Sequence, residues 1–425
     1  MVPALRARFN AGFTDERYQV FLDTIRRRCG VPIEFPLSET PCFLPAGVVS
    51  ALEQAARQMI DSLLGNAEYL RRADGMVPEQ FGMPSNALRP GPANGEEWPT
   101  FIQVDFGLVR TGPGLSEVEG PALSGVEGRL VELQAFPSLY GFQMALAETA
   151  RDVWGLGDDV SVFPGALDRA SYLKTVGAAI LNGHDPAEVV LMEIEPERQK
   201  TRPDFAVTEQ LWGVRAIDVR AVSRQGRELF YDRDGRRTRI RRIYNRVIPD
   251  ELTQKAIALP FDYRDDLDVE WAGGPDWFFR ISKFSIPFLT HPWVPQTMFL
   301  GDGGVFHSFD RFGDRPRLLK PLFSYAGGGI IFDPTKADLE AIPPEARHLY
   351  VLQERVSFAP VIKTPDGDTQ AEIRMMFVRS GSGRDYTFVL PLVRMGRGKM
   401  MGVDHNKGLR FVGASAALIS TTSIV

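Results

Sequence analysis

The residues best suited to chemistry in this chain lie at Leu318-Leu319-Lys320-Pro321-Leu322-Phe323, followed by Ser324-Tyr325-Ala326-Gly327-Gly328-Gly329. The stretch reads as an apolar strand carrying one lysine, then a glycine-rich loop, then a strand at Ile330-Ile331-Phe332. Adjacent glycines let successive backbone N–H groups turn toward one point, which makes a concave anion site. A lysine on the neighbouring strand adds a point charge for phosphate. Here the lysine precedes the glycines, so the order is not that of a P-loop. The alternative is a β-hairpin whose glycines simply allow a tight turn.

The next segments favour the phosphate reading. Asp333-Pro334-Thr335 predicts a helix start, with Asp333 as N-cap and Pro334 at the first helical position. Leu349 to Val356 is then an apolar strand ending on Gln353-Glu354. An amide and a carboxylate at a strand end can accept hydrogen bonds from the amino group and ribose hydroxyls of a nucleotide.

This order resembles the nucleotide half of the ATP-grasp superfamily: lysine strand, glycine loop, helix, and a strand ending in Gln-Glu. The resemblance assigns Lys320 to the strand lysine, Gly327, Gly328 and Gly329 to the flap, and Gln353 and Glu354 to the hinge. It also calls for an upstream lysine before a linker. Lys283, in Ser282-Lys283-Phe284-Ser285 ahead of Val294-Pro295-Gln296-Thr297, is similar to that element.

Nucleotide clamps use Mg²⁺, which takes one or two carboxylates with phosphates and water. Two sets of candidate ligands stand in the sequence. The first is Asp105 on the strand Phe101–Val109, with Glu132 and Gln134 two apart on the strand Arg129–Phe136 and so on one face. The second is Glu372, beside Arg374, with Asp404 and Asn406. Ordinary ATP-grasp order favours the second. Circularly permuted members, such as glutathionylspermidine synthetase and eukaryotic glutathione synthetase, carry Asp and Glu-x-Asn early, then a small β-α-β lobe, then the lysine strand, loop and hinge. The chain resembles that order, so Asp105, Glu132 and Gln134 are the preferred set. Gln134 stands where those proteins have Asn. Without metal, Asp105 and Glu132 would be a cross-strand pair on the wet face of a hairpin.

The elements that must position these groups are legible in outline. Val49, Leu52, Ala56, Met59, Ile60 and Leu63 recur at helical spacing over Ala46 to Asn66. Gly141 to Trp154 predicts another helix. Glu188–Ile194, the helix Thr201–Trp212 and the strand Gly213–Val219 suggest a parallel β-α-β lobe. Between the two hairpin strands lies a tandem octapeptide, Pro113–Gly120 and Pro121–Gly128, identical at six of eight positions. Two copies cannot build a solenoid, so it reads as a duplication at an exposed tip. Seven arginines fall between Arg233 and Arg246. They read as a solvated hairpin face, with Arg246 set apart because it ends an apolar strand, where side chains reach into a crevice.

With 425 residues the chain is expected to form two or three lobes. These are N-terminal helices plus the metal-binding hairpin (1–165), a Rossmann-like substrate lobe (166–260) and the nucleotide-binding part (261–425). The expected fold class is α+β, a permuted ATP-grasp domain with a small Rossmann-like lobe. A net charge of −5 argues against a general nucleic-acid binder, and no apolar run spans a membrane. Cys29 and Cys42 fit no metal spacing and read as buried thiols of a cytoplasmic protein.

The resemblance implies an ATP- and Mg²⁺-dependent carboxylate–amine ligase acting through an acyl phosphate, with a small-molecule or peptide carboxylate and an amine as partners. Lys283 and Lys320 would hold the α- and β-phosphates. Arg374 or Arg246 would steady the acyl phosphate or grip the carboxylate. Arg394 and Lys399 would lie near the acceptor, unless they belong to a solvated basic loop. The alternatives are a small-molecule kinase on the same fold and a non-catalytic nucleotide-binding protein.

Overall fold

The computed structural model describes residues 2–83, 97–110, 125–301, 309–324, 327–381, 383–402 and 405–421. Helix α1 (Ala46–Leu64) precedes a long hairpin of strands β1 (Phe101–Arg110) and β2 (Val126–Gln134). Helices α2 (Tyr140–Val153) and α3 (Arg169–Leu181) follow. Strand β3 (Val189–Glu193), helix α4 (Arg202–Trp212) and strands β4 (Arg215–Asp218), β5 (Arg242–Asn245) and β6 (Glu270–Ala272) build a four-stranded parallel sheet in the order β6-β5-β3-β4. Strands β7 (Thr297–Phe299), β8 (Arg317–Pro321), β9 (Ile331–Phe332) and β10 (Tyr350–Glu354) form an antiparallel sheet in the order β7-β10-β8-β9. Finally β11 (Gln370–Arg379), β12 (Tyr386–Gly396) and β13 (Gly413–Ser415) return to the first hairpin, giving a five-stranded antiparallel sheet, β13-β12-β11-β1-β2.

The five-stranded sheet positions the site through simple alternation. Ile102, Val104 and Phe106 of β1 lie opposite Phe377, Met375 and Ile373 of β11, and all six are buried in one core with Val49, Leu52 and Ile60 of α1. The opposite face divides in two. At one end Phe101, Met376, Val378, Leu390 and Leu392 pack into the core of α2, α3 and α4. At the other end the same face carries Gln103, Asp105, Glu372, Arg374 and Arg394, with Glu372 opposite Arg394 and Arg374 opposite Asp105.

A β-bulge between Asp105 and Phe106 leaves Val131 as an extra residue, since Asp105 pairs with Glu132 and Phe106 with Leu130. Such a bulge shifts the alternation by one. Leu130 and Leu133 therefore both enter the α1 core, while Glu132 and Gln134 stay on the polar face.

Two local expectations are corrected. Strand β2 starts at Val126, so the end of the second octapeptide is strand, while 111–124 lie outside the described residues. The helix after β9 is capped by Thr335, whose hydroxyl accepts from the Asp338 N–H at 3.2 Å. Asp333 instead turns the chain at φ 48° and its carboxylate accepts from Arg355 at 2.6 Å. The arginine run does lie on a hairpin, Arg236–Ile240 paired with Glu228–Arg233, with Arg236, Arg237 and Arg241 exposed; along it Arg239 pairs with Glu228 at 2.8 Å, Arg241 with Glu188 at 3.0 Å and the buried Arg242 with Glu270 at 2.8 Å. Both cysteines are buried free thiols, and burial pushes each up to about 12. Among the described residues no helix is long and apolar enough to cross a membrane.

Candidate functional site

The two acidic sets that the sequence keeps apart meet on one sheet face. The Arg374 guanidinium donates through Nε to Asp105 Oδ1 at 2.6 Å and through Nη2 to Oδ2 at 2.7 Å. Its Nη1 donates to Gln103 Oε1 at 2.8 Å. Gln134 fits this network with its amide oxygen toward Arg374, accepting from Nη1 at 3.0 Å. Arg394 on β12 donates through Nη2 to Asp105 Oδ2 at 2.7 Å and also to Glu372. Asp105 is 1% exposed. Burial alone would raise its carboxyl, but Arg374 and Arg394 together hold it below the ordinary value. For Glu372 burial wins and its carboxyl lies above the ordinary value, although Arg394 opposes this.

The lysines come from the other sheet and from the turn before β7. In the nucleotide-side sheet, Leu319 and Leu352 enter a core with Leu300, Phe312 and Leu339. Alternation then puts Lys320, which pairs with Val351, and Gln353, which pairs with Leu318, on the opposite face. Lys283 opens a short 3₁₀ turn capped by Ser282, donates to the Ser324 carbonyl at 2.6 Å and lies 3.5 Å from Glu132. Glu132 thus ties the lysine pair to the sheet face.

Lys320 is the unusual member. It is 6% exposed, and among the described residues its ammonium has no hydrogen bond or ion pair. Burial lowers it from 10.5 to about 8, with Lys283 adding to the fall and Glu132 and Glu372 opposing it. An ammonium carried on a buried side chain, with no partner among the described residues, is a group that an anion can meet at little cost.

The glycine loop joins β8 to β9, with Gly327 and Gly329 at φ +76° and +71°. A Cβ on Gly327 would come 2.0 Å from Met400 Cε, so the loop lies against the segment after β12. Gln353 is buried and donates to Thr297 Oγ1 at 3.0 Å. Glu354 turns to the other face, 3.6 Å from Arg315.

Other predicted residues fall elsewhere. Asn406 is buried, and its amide is spent on backbone: Oδ1 accepts from Arg397 and Gly398 at 2.9 and 3.0 Å, and Nδ2 donates to Met400 and Gly402, both at 3.1 Å. It staples the loop after β12. Asp404 lies outside the described residues. Arg246 is buried at the end of β5, donating to the Pro137 carbonyl and lying 4.6 Å over the Phe136 ring. Nearby Glu193 is pushed up to about 8 by burial, against the pull of Arg246. Arg246 is thus set beside the end of β2, with no contact to the Asp105–Arg374 pair among the described residues. Asp250, opening the helix Pro249–Gln254, is raised by burial while Lys283 opposes the rise, which brings the parallel-sheet lobe to the same crevice.

Sequence reasoning assigned no role to Gln103, although its alternation with Asp105 was a readable signal. It set Arg394 beside an acceptor or in a basic loop, whereas the side chain closes the Asp105–Glu372 pair.

Among the described residues no three His, Cys, Asp or Glu side chains converge as a metal site. Of the donors named for Mg²⁺, Asp105 and Gln134 face Arg374, Glu372 gives one oxygen to Arg394, and Glu132 lies 3.5 Å from Lys283. The two lysines and the amide of Gln353, by contrast, suit a nucleotide's phosphates and base.

No family model matches the chain. No curated protein matches it either. Among solved structures, a glutathione synthetase-like effector from Globodera pallida, in its apo form, aligns with a TM-score of 0.58 at 12% identity, over 95% of this chain and 96% of that one. At that identity the likeness is one of fold, and the chain shares the mixed α+β fold of a glutathione synthetase-like protein.

Proposed function

We propose that the chain is an ATP-dependent carboxylate–amine ligase built on the circularly permuted ATP-grasp plan. In this reading 261–425 hold the nucleotide, 166–260 form the substrate lobe, and 1–165 supply helices and the hairpin. The observation that carries it is the ammonium of Lys320, on a buried side chain and without a hydrogen bond or ion pair among the described residues, in the crevice where Lys283 lies 3.5 Å from Glu132.

ATP, when bound, supplies the phosphoryl group that activates a carboxylate. Lys320 and Lys283 hold its phosphates. Gln353 lies on the same face as Lys320 and offers its amide to the base. Gly327 to Gly329 cover the phosphates and keep water from the activated acid. Arg394 stands at the open edge of the ion-pair network and steadies the charge that develops during transfer. Arg374 serves differently, since its donors are taken by Asp105, Gln103 and Gln134. It fixes Asp105 and thereby Arg394.

The test is calorimetric titration of ATP into the wild type and Lys320→Met, followed by ADP release on panels of carboxylates and amines. ATP binding that is lost in the variant, with ADP release needing both a carboxylate and an amine, supports the ligase. ADP release needing only a hydroxyl compound would select a kinase. Tight ATP binding without turnover on any acceptor would select the non-catalytic reading, which the engagement of the carboxylates by arginines favours. Absence of ATP binding would sink all three.

A further inference from the structure

Resting on the nucleotide reading above, we infer that this site holds a polyphosphate without a divalent cation. Arg394, Lys283 and Lys320 supply the positive charge, and the carboxylates serve the guanidinium groups. The inference starts from the occupancy of each donor. Mg²⁺ demands near-octahedral oxygen ligation, usually with one or two carboxylates. Asp105 has both oxygens engaged, Oδ1 by Arg374 and Oδ2 by Arg374 and Arg394. A cation at Asp105 would have to break a two-point ion pair and leave Arg374 charged in a buried place. That exchange is strongly unfavourable. Glu372 is engaged by Arg394. Glu132, half-buried, lies 3.5 Å from the Lys283 ammonium, and Glu372 keeps Oε2 outside its bond to Arg394. Each remaining carboxylate is thus already tied to a protein cation with which a dication would have to compete.

The same geometry provides for an anion. Around this linked network and the crevice beside it stand four carboxylates, Asp105, Glu132, Glu372 and Asp250, against four cations, Arg374, Arg394, Lys283 and Lys320. The protein's own cations thus offset its carboxylates without a metal ion. Two of the cations keep unused donors. The Lys320 ammonium is buried with no partner among the described residues. Arg394 uses one nitrogen for both carboxylates, and its buried Nε has no hydrogen-bond partner. A guanidinium held from behind by Asp105 and Glu372 is oriented in advance, so little rotamer freedom is lost when it meets phosphate. Arginine and lysine clamps can carry the charge of a phosphoryl group, as a metal can.

The experiment titrates ATP into the full chain by calorimetry, once in excess Mg²⁺ and once in excess EDTA. The two dissociation constants are expected to agree within about fivefold, which is about 1 kcal/mol. A larger loss in EDTA overturns the inference and leaves the nucleotide reading intact. No heat in either arm overturns both. Arg394→Gln frees Glu372 and leaves Asp105 Oδ2 to Arg374 alone, so ATP should bind it more weakly and now in a Mg²⁺-dependent way. Wild-type affinity in that variant, with no metal dependence, would count against the role of Arg394. A Mn²⁺ titration of the apoprotein followed by electron paramagnetic resonance is expected to show no saturable site. A one-to-one site lost in Glu132→Gln would overturn the inference without reference to any fold defect.

Discussion

Arg374 and Asp105 stand directly opposite on adjacent strands and share two hydrogen bonds of 2.6 and 2.7 Å inside the protein. The pair is fully desolvated, so its worth depends on remaining complete. Asp105→Asn leaves the buried Arg374 and the half-buried Arg394 with less negative charge beside them. It is expected to cost about 3–5 kcal/mol in urea unfolding, as for other broken buried pairs. Asp105→Asn with Arg374→Met should recover part of that loss, with a coupling of about 0.5–3 kcal/mol. Additive losses would show that the two side chains act independently.

Lys320 gives the opposite expectation. Its side chain is buried and its charge has no partner among the described residues, so Lys320→Met should raise stability by about 1–2 kcal/mol while abolishing nucleotide binding. A destabilised variant would mean that the ammonium supports the fold.

The pH dependence follows from the same group. Lys320 is lowered to about 8 in the folded chain, against an ordinary 10.5. Below about pH 8 both folded and unfolded chains hold the proton, so its contribution is constant. Between about pH 8 and 10.5 only the unfolded chain holds it, so stability rises with pH in that window. Binding runs the other way. Affinity for polyphosphate should fall up to about tenfold per pH unit above 8, because the site must regain a proton before the anion enters. Wild type and Lys320→Met compared across this range isolate the effect. Parallel curves would discount it.

Asn406 closes the loop after β12 with four backbone hydrogen bonds. Asn406→Ala leaves buried backbone groups without partners, at about 1–3 kcal/mol. Amide exchange at Arg397 and Gly398 should accelerate. If exchange there is unchanged, the loop is held by other contacts.

Much of the scaffold is legible in the sequence, because periodicity is local. The helix read from Ala46 and the strand read from Phe101 fall within two residues of α1 and β1. The pairing of Glu132 with Gln134 on one face follows from alternation. Less visible is anything set by partners far apart. Nothing local to Arg394 says that it bridges Asp105 and Glu372, and nothing near Asp105 announces Arg374. The sequence therefore offers two rival acidic sets where the sheet register makes one network. The Thr335 cap was missed because Asp-Pro is a stronger local signal than Thr followed three residues later by Asp. What displaced it is tertiary, the engagement of Asp333 by Arg355.

The partners Asp105 and Arg374 are 269 residues apart in the chain. During synthesis β1 and β2 emerge long before β11 and β12, with their inner face uncovered and Asp105 lacking its counter-charge. Pairings of such span fold slowly, because chain closure must be completed before the contacts form. A nascent chain stopped before β11 should thus expose an unpaired edge on β1 and bind chaperones or aggregate. Release of the last strands would then complete the sheet and the charge network in one cooperative step.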